Sequence, residues 1–445
     1  YKFFNFLIIK LPIDKNLISP ARIISLELLN IILKRNEPFE QIISNSDKFN
    51  KLEIKNKKFC RLIITIVLRK LGQIDFVIDK FIKKGSIKKE TFKNIIRIGI
   101  AEILFIKSAK YAAINEAVEL TKLKVSRSLS KLTNAVLRNI DRDSEVLILQ
   151  MTDDQNYPHW LIEEWKNSWG ERQTKEILKW FQEKPLLDIS VAGNPIKMEK
   201  ILGGKNIFGK TIRKKEITNP TSIPYFETND ENYHWWVQDV AASIPAELLI
   251  KSNKINIVDL CSAPGGKTAQ LAKAGKTVTA VDISQNRTIK LKENIQRLKL
   301  NIKMIIADGT KWKPQQKYQA VLLDAPCSAT GTLRRHPDII KNRSKYSLNN
   351  YLQTQLNLIN QSITWLEKNG LLIYSVCSLQ KNEGEDQIKS VLKNNKNVII
   401  KPILPFEVPN FEHSITKEGW LRIFPNCLDT MGGNDGFFIC KLQKL

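Results

Sequence analysis

Two cysteines in the last third of the sequence each follow a predicted strand, and a serine follows each of them. Cys327 belongs to the segment DAPCS at residues 324–328, and Cys377 belongs to YSVCS at residues 374–378. A thiolate is a strong nucleophile, so two thiols in one pocket could form and release a covalent bond to a substrate. A free cysteine is more often a small buried side chain. Two cysteines at the ends of two strands favour the chemical role.

A glycine-rich turn comes earlier, in the segment DLCSAPGGKT at residues 259–268. Its glycines let the backbone pass close to a ligand at the N-terminus of the helix that follows. The ending GKT also occurs in loops that bind phosphate groups, but that motif needs a glycine at the position where this chain has Cys261. The turn therefore predicts a nucleotide site without a polyphosphate cradle.

Aspartates end the next three predicted strands, at Asp282, Asp308 and Asp324. Ligands of open α/β sheets lie beyond the carboxyl ends of the strands. A carboxylate in the place of Asp282 can accept both ribose hydroxyls, and one in the place of Asp308 can accept from an adenine amino group. Each aspartate alone could instead cap a turn or a helix. Together with the glycine turn they indicate ribose and adenine, a description that S-adenosylmethionine fits.

Strands and helices alternate from residue 255 onwards. This alternation is typical of a parallel, doubly wound α/β sheet. Helices are predicted at about residues 289–298 and 348–366. The predicted strands are residues 255–260, 277–281, 304–306, 320–323 and 371–376. Such a sheet would place both cysteines and all three aspartates at one edge.

The sequence before this region divides into two parts. Residues 1–145 carry apolar side chains at helical spacing, which predicts a bundle of helices. Residues 146–250 combine a predicted helix at 162–180 with short strands and turns, including one turn at 219–220. We therefore predict a helical domain at 1–145, a linker and small subdomain at 146–250, and a catalytic domain at 251–445.

The composition narrows the possible function classes. The chain has 445 residues, six cysteines, four histidines and a net charge of +25. The cysteines are sparse and form no CxxC pair, which argues against a disulfide scaffold or a zinc site and favours the cytoplasm. No apolar stretch is long enough to span a membrane. The charge indicates a nucleic acid partner, although a compositional bias towards lysine explains it equally well.

The segments quoted above resemble the signature blocks of the RNA 5-methylcytosine methyltransferases. Further segments fit the same family in order and spacing: WVQDVAAS at 236–243, RRHPD at 334–338 and DGFF at 435–438. Near the N-terminus, AINEAVEL at 113–120 and NAVLR at 134–138 resemble the helical RNA-binding domain of the NusB family. The combination resembles the branch of the family that methylates small-subunit ribosomal RNA.

The resemblance implies an α/β Rossmann-like class I S-adenosylmethionine-dependent methyltransferase domain preceded by an all-α NusB-like domain. It assigns the nucleophile to Cys377, product release to Cys327 and a cytosine contact to Asp324. DNA 5-methylcytosine enzymes use the cysteine of the Pro-Cys pair instead, so Cys377 favours RNA. The residues implied to bind the cofactor are Cys261, Ser262, Ala263, Pro264, Gly265, Gly266, Lys267, Asp282, Arg287, Asp308 and Asp324.

The implied reaction moves a methyl group from S-adenosylmethionine to C5 of a cytosine through a covalent bond between cysteine and C6. The implied partner is 16S ribosomal RNA, free or in an early assembly intermediate. The protein is expected to act as a monomer, without metal, DNA or membrane. Two alternatives stay open: the same chemistry on transfer RNA or another ribosomal cytosine, and a non-catalytic RNA-binding assembly factor. The intact set of aspartates and cysteines argues against the second alternative.

Overall fold

The computed structural model describes residues 18–35, 37–83, 87–214, 234–343 and 345–445. The chain forms two compact units that divide between Pro158 and His159. The sequence places the first domain boundary after residue 145, whereas a short helix and a turn continue the first unit beyond that point. Residues 1–17 of the predicted helical domain and the predicted turn at 219–220 lie outside the described residues.

The first unit is helical, as the sequence predicts. Its α-helices in the described residues are α1 (Pro20–Ile32), α2 (Phe39–Ser44), α3 (Asp47–Asn50), α4 (Ile54–Arg69), α5 (Leu71–Phe81), α6 (Glu90–Ile100), α7 (Lys110–Lys124), α8 (Arg127–Arg142) and α9 (Ser144–Gln150). A π-helical turn, Ala101–Ile106, continues α6. A short 3₁₀ turn, Asp153–Asn156, ends the unit.

One apolar core holds these helices together. Ile95, Ile96 and Ile100 on α6 are all fully buried, as the helical spacing predicts. Each such side chain stabilises the fold by roughly 1.5–3 kcal/mol relative to an exposed one. Arg22 of α1 crosses this core and donates hydrogen bonds to Glu102 at 2.8 Å. An opposite charge therefore meets this buried arginine.

The second unit begins with a small antiparallel sheet. Its leading helix, α10 (His159–Gln182), is interrupted at Gly170, where φ is 78°. The elements that follow are β1 (Asp188–Val191), α11 (Pro195–Leu202), β2 (Gly204–Phe208), β3 (Thr211–Lys214) and β4 (Trp235–Val237). The strand order is β2-β3-β1-β4.

A larger sheet carries the predicted strands of the catalytic domain. Its strands are β5 (Asn256–Leu260), β6 (Thr277–Asp282), β7 (Lys303–Ile306), β8 (Tyr318–Asp324), β9 (Leu366–Val376), β10 (Val398–Ile400), β11 (Leu421–Ile423) and β12 (Phe437–Lys444). The helices around it are α12 (Val240–Ile250), α13 (Gly266–Lys273), α14 (Gln285–Arg297), α15 (Lys345–Trp365) and α16 (Glu385–Asn394). The order is β10-β12-β9-β8-β5-β6-β7, and β11 pairs with β12.

The C-terminal part of the chain adds antiparallel strands to the predicted parallel sheet. Strands β5 to β9 are parallel to one another, as predicted. Strand β12 is antiparallel to β9, β10 and β11. No helix longer than a 3₁₀ turn separates β11 from β12, and such a connection returns the chain antiparallel. The parallel part still places the ends of β5, β6, β8 and β9 at one edge, which is the candidate site.

Candidate active site

The glycine-rich loop leaves β5 and leads into α13. Cys261 adopts a left-handed backbone with φ of 61°, and Gly265 has φ of 103°. A side chain at Gly265 would place its Cβ 2.6 Å from Leu291, so both the conformation and the space require glycine. Burial raises the pKa of the Cys261 thiol far above its usual value, with nearby carboxylates adding to the shift. Cys261 is therefore a thiol at neutral pH rather than a nucleophile.

Asp282 ties this loop to the end of β6. Its carboxylate accepts hydrogen bonds from Ala263 N at 3.0 Å and from Ser284 N at 2.9 Å. Arg287 donates to the carbonyl oxygen of Ala263 at 2.5 Å. Each carboxylate oxygen has a second lone pair, so Asp282 still has the capacity to accept ribose hydroxyls.

Asp308 lies two residues beyond the end of β7. Its Oδ1 accepts from the backbone nitrogen and the hydroxyl of Thr310 at 2.9 and 2.7 Å. These hydrogen bonds lower the pKa of Asp308, so it is ionised at neutral pH. Its side chain is 32% exposed. An ionised, open carboxylate is suited to accept from the amino group of a base.

The described residues fit an S-adenosylmethionine nucleoside at this edge. The buried hydroxyl oxygen of Ser262 has no hydrogen-bond partner in the structure. A buried polar atom of this kind usually pairs with a ligand or water. The close turn at Gly265 follows the end of β5, and the open carboxylate of Asp308 follows the end of β7. No group of three or more metal-ligating side chains was found in the described part of the chain.

Asp324 ends β8 and pairs with Lys267 in the first turn of α13. Lys267 Nζ donates to Asp324 Oδ2 at 2.6 Å, and Ser375 donates to Asp324 Oδ1 at 3.0 Å. Burial lowers the pKa of Lys267, but the Asp324 carboxylate outweighs it and raises the pKa above its usual value. The pair thus places a permanent positive charge and an anchored carboxylate side by side.

The two predicted cysteines come together. Strands β8 and β9 are parallel neighbours, with Asp324 opposite Ser375, so the loops that follow leave the same edge. Cys327 Sγ and Cys377 Sγ are 3.5 Å apart. Cys327 is buried, whereas Cys377 is half-buried. Cys377 is therefore the more exposed of two thiols that lie in contact.

The surroundings of Cys327 disfavour its thiolate form. Its pKa lies well above the usual value because of its hydrogen bond to Cys377, its burial and the negative charge of Glu383. Glu383 is fully buried and accepts from the hydroxyls of Ser328 and Ser378. The sequence analysis missed Glu383. The serine that follows each cysteine was the available signal, because two such hydroxyls at one edge need an acceptor.

The sequence analysis also missed a buried arginine cluster formed by Asp188, Arg213, Asp239, Arg335 and Asp435. Arg335 donates to Asp239 at 2.5 Å and to Asp435 at 3.1 Å. Arg213 donates to Asp188 at 2.6 and 2.7 Å. Three of the resembling segments, 236–243, 334–338 and 435–438, therefore meet in this cluster and join the small sheet to the large one.

The comparisons with known proteins agree with this architecture. Residues 19–142 match the NusB family, and residues 246–443 match the family described as 16S rRNA methyltransferase RsmB/F. Ribosomal RNA small subunit methyltransferase B of Erwinia tasmaniensis is 30% identical over 85% of this chain and 88% of its own length. The protein of the same name from Cronobacter sakazakii is 27% identical over 89% of this chain and 92% of its own length.

Solved structures share the fold. The crystal structure of PH0851 has a TM-score of 0.74 at 21% identity, covering 96% of this chain and 99% of that one. A methyltransferase homologue from Pyrococcus horikoshii has a TM-score of 0.52 at 24% identity, covering 65% and 96%. The chain therefore belongs to the RsmB/F family of S-adenosylmethionine-dependent ribosomal RNA 5-methylcytosine methyltransferases.

Proposed function

We propose that the protein methylates C5 of a specific cytosine in 16S ribosomal RNA through a covalent bond between the Cys377 sulfur and C6 of the base. The observation that carries the proposal is the 3.5 Å separation between the sulfurs of Cys327 and Cys377. A second thiol so close to a nucleophile has no structural need, since apolar side chains would fill the same space. The arrangement suits a bond that must be made and then broken.

Cys377 supplies the electrons for the first step. Cytosine C5 is a poor nucleophile, and addition of the Cys377 thiolate to C6 makes C5 enamine-like. Bound S-adenosylmethionine supplies the methyl group. Asp324 and Lys267, joined at 2.6 Å, would contact the base, and the Lys267 ammonium would offset the negative charge that develops in the cytosine ring.

Cys327 takes part in product release. After methylation the C5 proton leaves and the C6–sulfur bond breaks, so that Cys377 returns as a thiolate. Cys327 assists this step as base or as hydrogen-bond donor to the departing sulfur. Cys327 is more buried than Cys377, which supports attack by Cys377 and assistance by Cys327.

We assign the cofactor to the loop and strand ends beside these thiols. Asp282 would bind the ribose hydroxyls, Asp308 the adenine amino group, and the turn at Gly265 would lie against the nucleoside. Ser262 would donate its unpaired hydroxyl. Arg287 would act indirectly, because it binds the carbonyl oxygen of Ala263.

The substrate assignment rests on charge and on the relatives. The chain carries a net charge of +25, and relatives of nearly full length are named for small-subunit ribosomal RNA. A flexible or single-stranded site suits the reaction, because the base must leave its stack to reach the thiols. We expect a monomer acting on free 16S RNA or on an early assembly intermediate.

Substitution of each thiol tests the proposal. Cys377→Ala abolishes methylation and covalent capture of RNA, whereas Cys327→Ala slows release and leaves a protein–RNA adduct on a denaturing gel. Cys427→Ala is the matched control, because this half-buried thiol bonds Ser414 and the Phe424 backbone instead of the pair. Methylation that survives Cys377→Ala would contradict the assignment.

Bisulfite sequencing of RNA from cells with and without the gene identifies the target. We expect one cytosine of 16S RNA to lose its methyl group. If the methyl group is lost from transfer RNA or another ribosomal RNA instead, the substrate assignment is wrong and the proposed reaction stands. No change in any RNA would favour the non-catalytic assembly factor.

A further inference from the structure

Glu383 is a fully buried carboxylate that joins the two cysteine loops. Its Oε1 accepts from the backbone nitrogen of Ser328 at 2.8 Å, and its Oε2 accepts from the hydroxyls of Ser328 and Ser378, both at 2.5 Å. Ser328 follows Cys327 and Ser378 follows Cys377 in the chain. One carboxylate therefore binds the residue next to each thiol.

Other hydrogen bonds fix the same arrangement. Gln355 Nε2 donates to Glu383 Oε1 at 3.1 Å and to the carbonyl oxygen of Pro326 at 2.9 Å. The hydroxyl of Tyr374 donates to the carbonyl oxygen of Glu383 at 2.6 Å. The nitrogen of Gly331 donates to the carbonyl oxygen of Cys377 at 3.0 Å. The loops cannot separate without breaking several buried hydrogen bonds, each of which is costly to leave unmade.

The charge of Glu383 is not cancelled by a direct ion pair. Within the described residues, no basic side chain forms a salt bridge with its carboxylate. Two arginines face the loops: Arg343 donates to the carbonyl oxygen of Ser328 at 2.9 Å, and Arg422 donates to that of Ser378 at 2.6 Å. The other charged or titratable groups that face the loops are Cys377, Tyr374 and the Lys267–Asp324 pair. Arg422 is itself paired with Glu385.

We propose that Glu383 is a positioning residue that holds Cys327 as a neutral thiol, so that Cys327 donates its S–H to the Cys377 sulfur. The direction of this hydrogen bond rests on charge, because Glu383 binds both the backbone nitrogen and the hydroxyl of Ser328, next to Cys327, and opposes a second negative charge there. The same anion draws the two loops together through Ser328 and Ser378. The inference deepens the proposed function and rests on it for its catalytic meaning.

The two cysteines therefore have different roles in catalysis, although their side chains are identical. Cys377 is half-buried and is the more exposed of the two, so it is the thiol that attacks. Cys327 keeps its proton and donates a hydrogen bond to the sulfur of Cys377 whenever that sulfur carries charge, before attack and again on release. Of the two release roles left open above, this selects hydrogen-bond donation, and the C5 proton passes to solvent water. A hydrogen bond to a charged group is stronger than one between neutral groups, so it can stabilise the sulfur as it leaves.

Alkylation measures the protonation of the Cys327 thiol without RNA. In a Cys377→Ala background, the pH midpoint for iodoacetamide modification of Cys327 is followed by mass spectrometry of the peptide that contains it. Addition of Glu383→Gln, which keeps the size and removes the charge, should lower that midpoint by about 1 pH unit, the order of effect of one nearby charge. A change in stability alone would not move the midpoint. An unchanged midpoint in folded protein would overturn the proposal.

Glu407→Gln is the matched control. Glu407 is also a buried carboxylate of the same unit, but it pairs with Lys441 at 2.7 Å and does not contact either cysteine loop. It should leave the midpoint of Cys327 unchanged. Should Glu383→Gln fail to fold, the Cys377→Ala protein decides by itself: a Cys327 midpoint at or below about 8.5, the ordinary thiol value, overturns the proposal.

The two proposals fail in different assays. The proposed function fails if Cys327→Ala forms no covalent adduct with RNA. The alkylation midpoint needs no RNA and depends only on Glu383 and Cys327. In otherwise wild-type protein, Glu383→Gln should lengthen the lifetime of the adduct. A normal lifetime together with a shifted midpoint would overturn the catalytic part of the inference.

Discussion

Asp324 and Asp435 are both carboxylates paired with a basic side chain in the second unit, but their surroundings differ. The side chain of Asp324 is 32% exposed, whereas that of Asp435 is 5% exposed. Asp324 meets Lys267 at the open edge of the large sheet, and Asp435 meets Arg335 inside the arginine cluster. Both belong to segments that resemble the same family, yet only the first can touch a substrate.

The comparison teaches that a motif residue is not by that fact a reacting residue. The charges of the arginine cluster are paired within the protein, so the role of the cluster is to join the two sheets. The edge of the sheet leaves lone pairs and one thiol open, so it has capacity for a ligand. Substitutions that separate stability from activity test this distinction.

The largest effect is expected at Arg335. Arg335→Met leaves Asp239 and Asp435 buried without their shared counter-charge, which should lower the free energy of unfolding by about 3–5 kcal/mol. Methylation per folded molecule should change little. Urea denaturation of the second unit measures the loss, with the exposed Arg172→Met as control. A large loss of activity in folded protein would place Arg335 in the reacting machinery and break the distinction.

Asp324→Asn should show the opposite pattern. Loss of the anchored carboxylate beside Lys267 should slow methylation by about 100–1000-fold, the range for a group that stabilises developing charge. Unfolding should change less than in Arg335→Met, because Asp324 is partly exposed. Single-turnover methylation with saturating cofactor gives the rate. A rate near that of the wild type would remove Asp324 from the catalytic step.

Asp259 tests whether burial, rather than position on the strand, decides how a carboxylate behaves. It lies on β5 below the site, and burial raises its pKa to about 7, although a hydrogen bond from Thr268 opposes the shift. A carboxyl group with a raised pKa stabilises the fold fully below its unfolded value near 4, and this contribution is lost as pH rises towards 7.

The measurement compares wild type with Asp259→Asn. The advantage of the wild type in unfolding free energy should fall between about pH 4 and 7, by on the order of 1 kcal/mol per pH unit. Urea denaturation across this range provides the values. A difference independent of pH would mean that Asp259 is ionised in the folded protein.

The smallest effect is expected at Asp308. Asp308→Asn removes the charged acceptor assigned to the adenine amino group, so KM for S-adenosylmethionine should rise about 10-fold, corresponding to one charge-assisted hydrogen bond. Turnover at saturating cofactor should stay near the wild-type value. Steady-state kinetics separates the two parameters. A fall in turnover with unchanged KM would assign Asp308 to a step after binding.

Sequence pattern predicted much of the fold. Helical spacing located the helices of the first unit, and alternation located β5 to β9 within a few residues. The antiparallel direction of β12 was not predicted, because a strand's direction depends on its connection rather than on its own residues, and here only a 3₁₀ turn separates β11 from β12. Its segment, DGFF at residues 435–438, was recognised, but not its orientation.

The sequence by itself determined which chemistry the chain can attempt, because residue type and order carry that information: two thiols, three aspartates and a glycine turn. Only the tertiary structure decided which partners each one has. Cys327 and Cys377 are 50 residues apart in sequence but 3.5 Å apart in space. Distances between loops, and the buried charge of Glu383 beneath them, arise from strand pairing and packing. Those contacts distinguish the half-buried thiol of Cys377 from the buried thiol of Cys327.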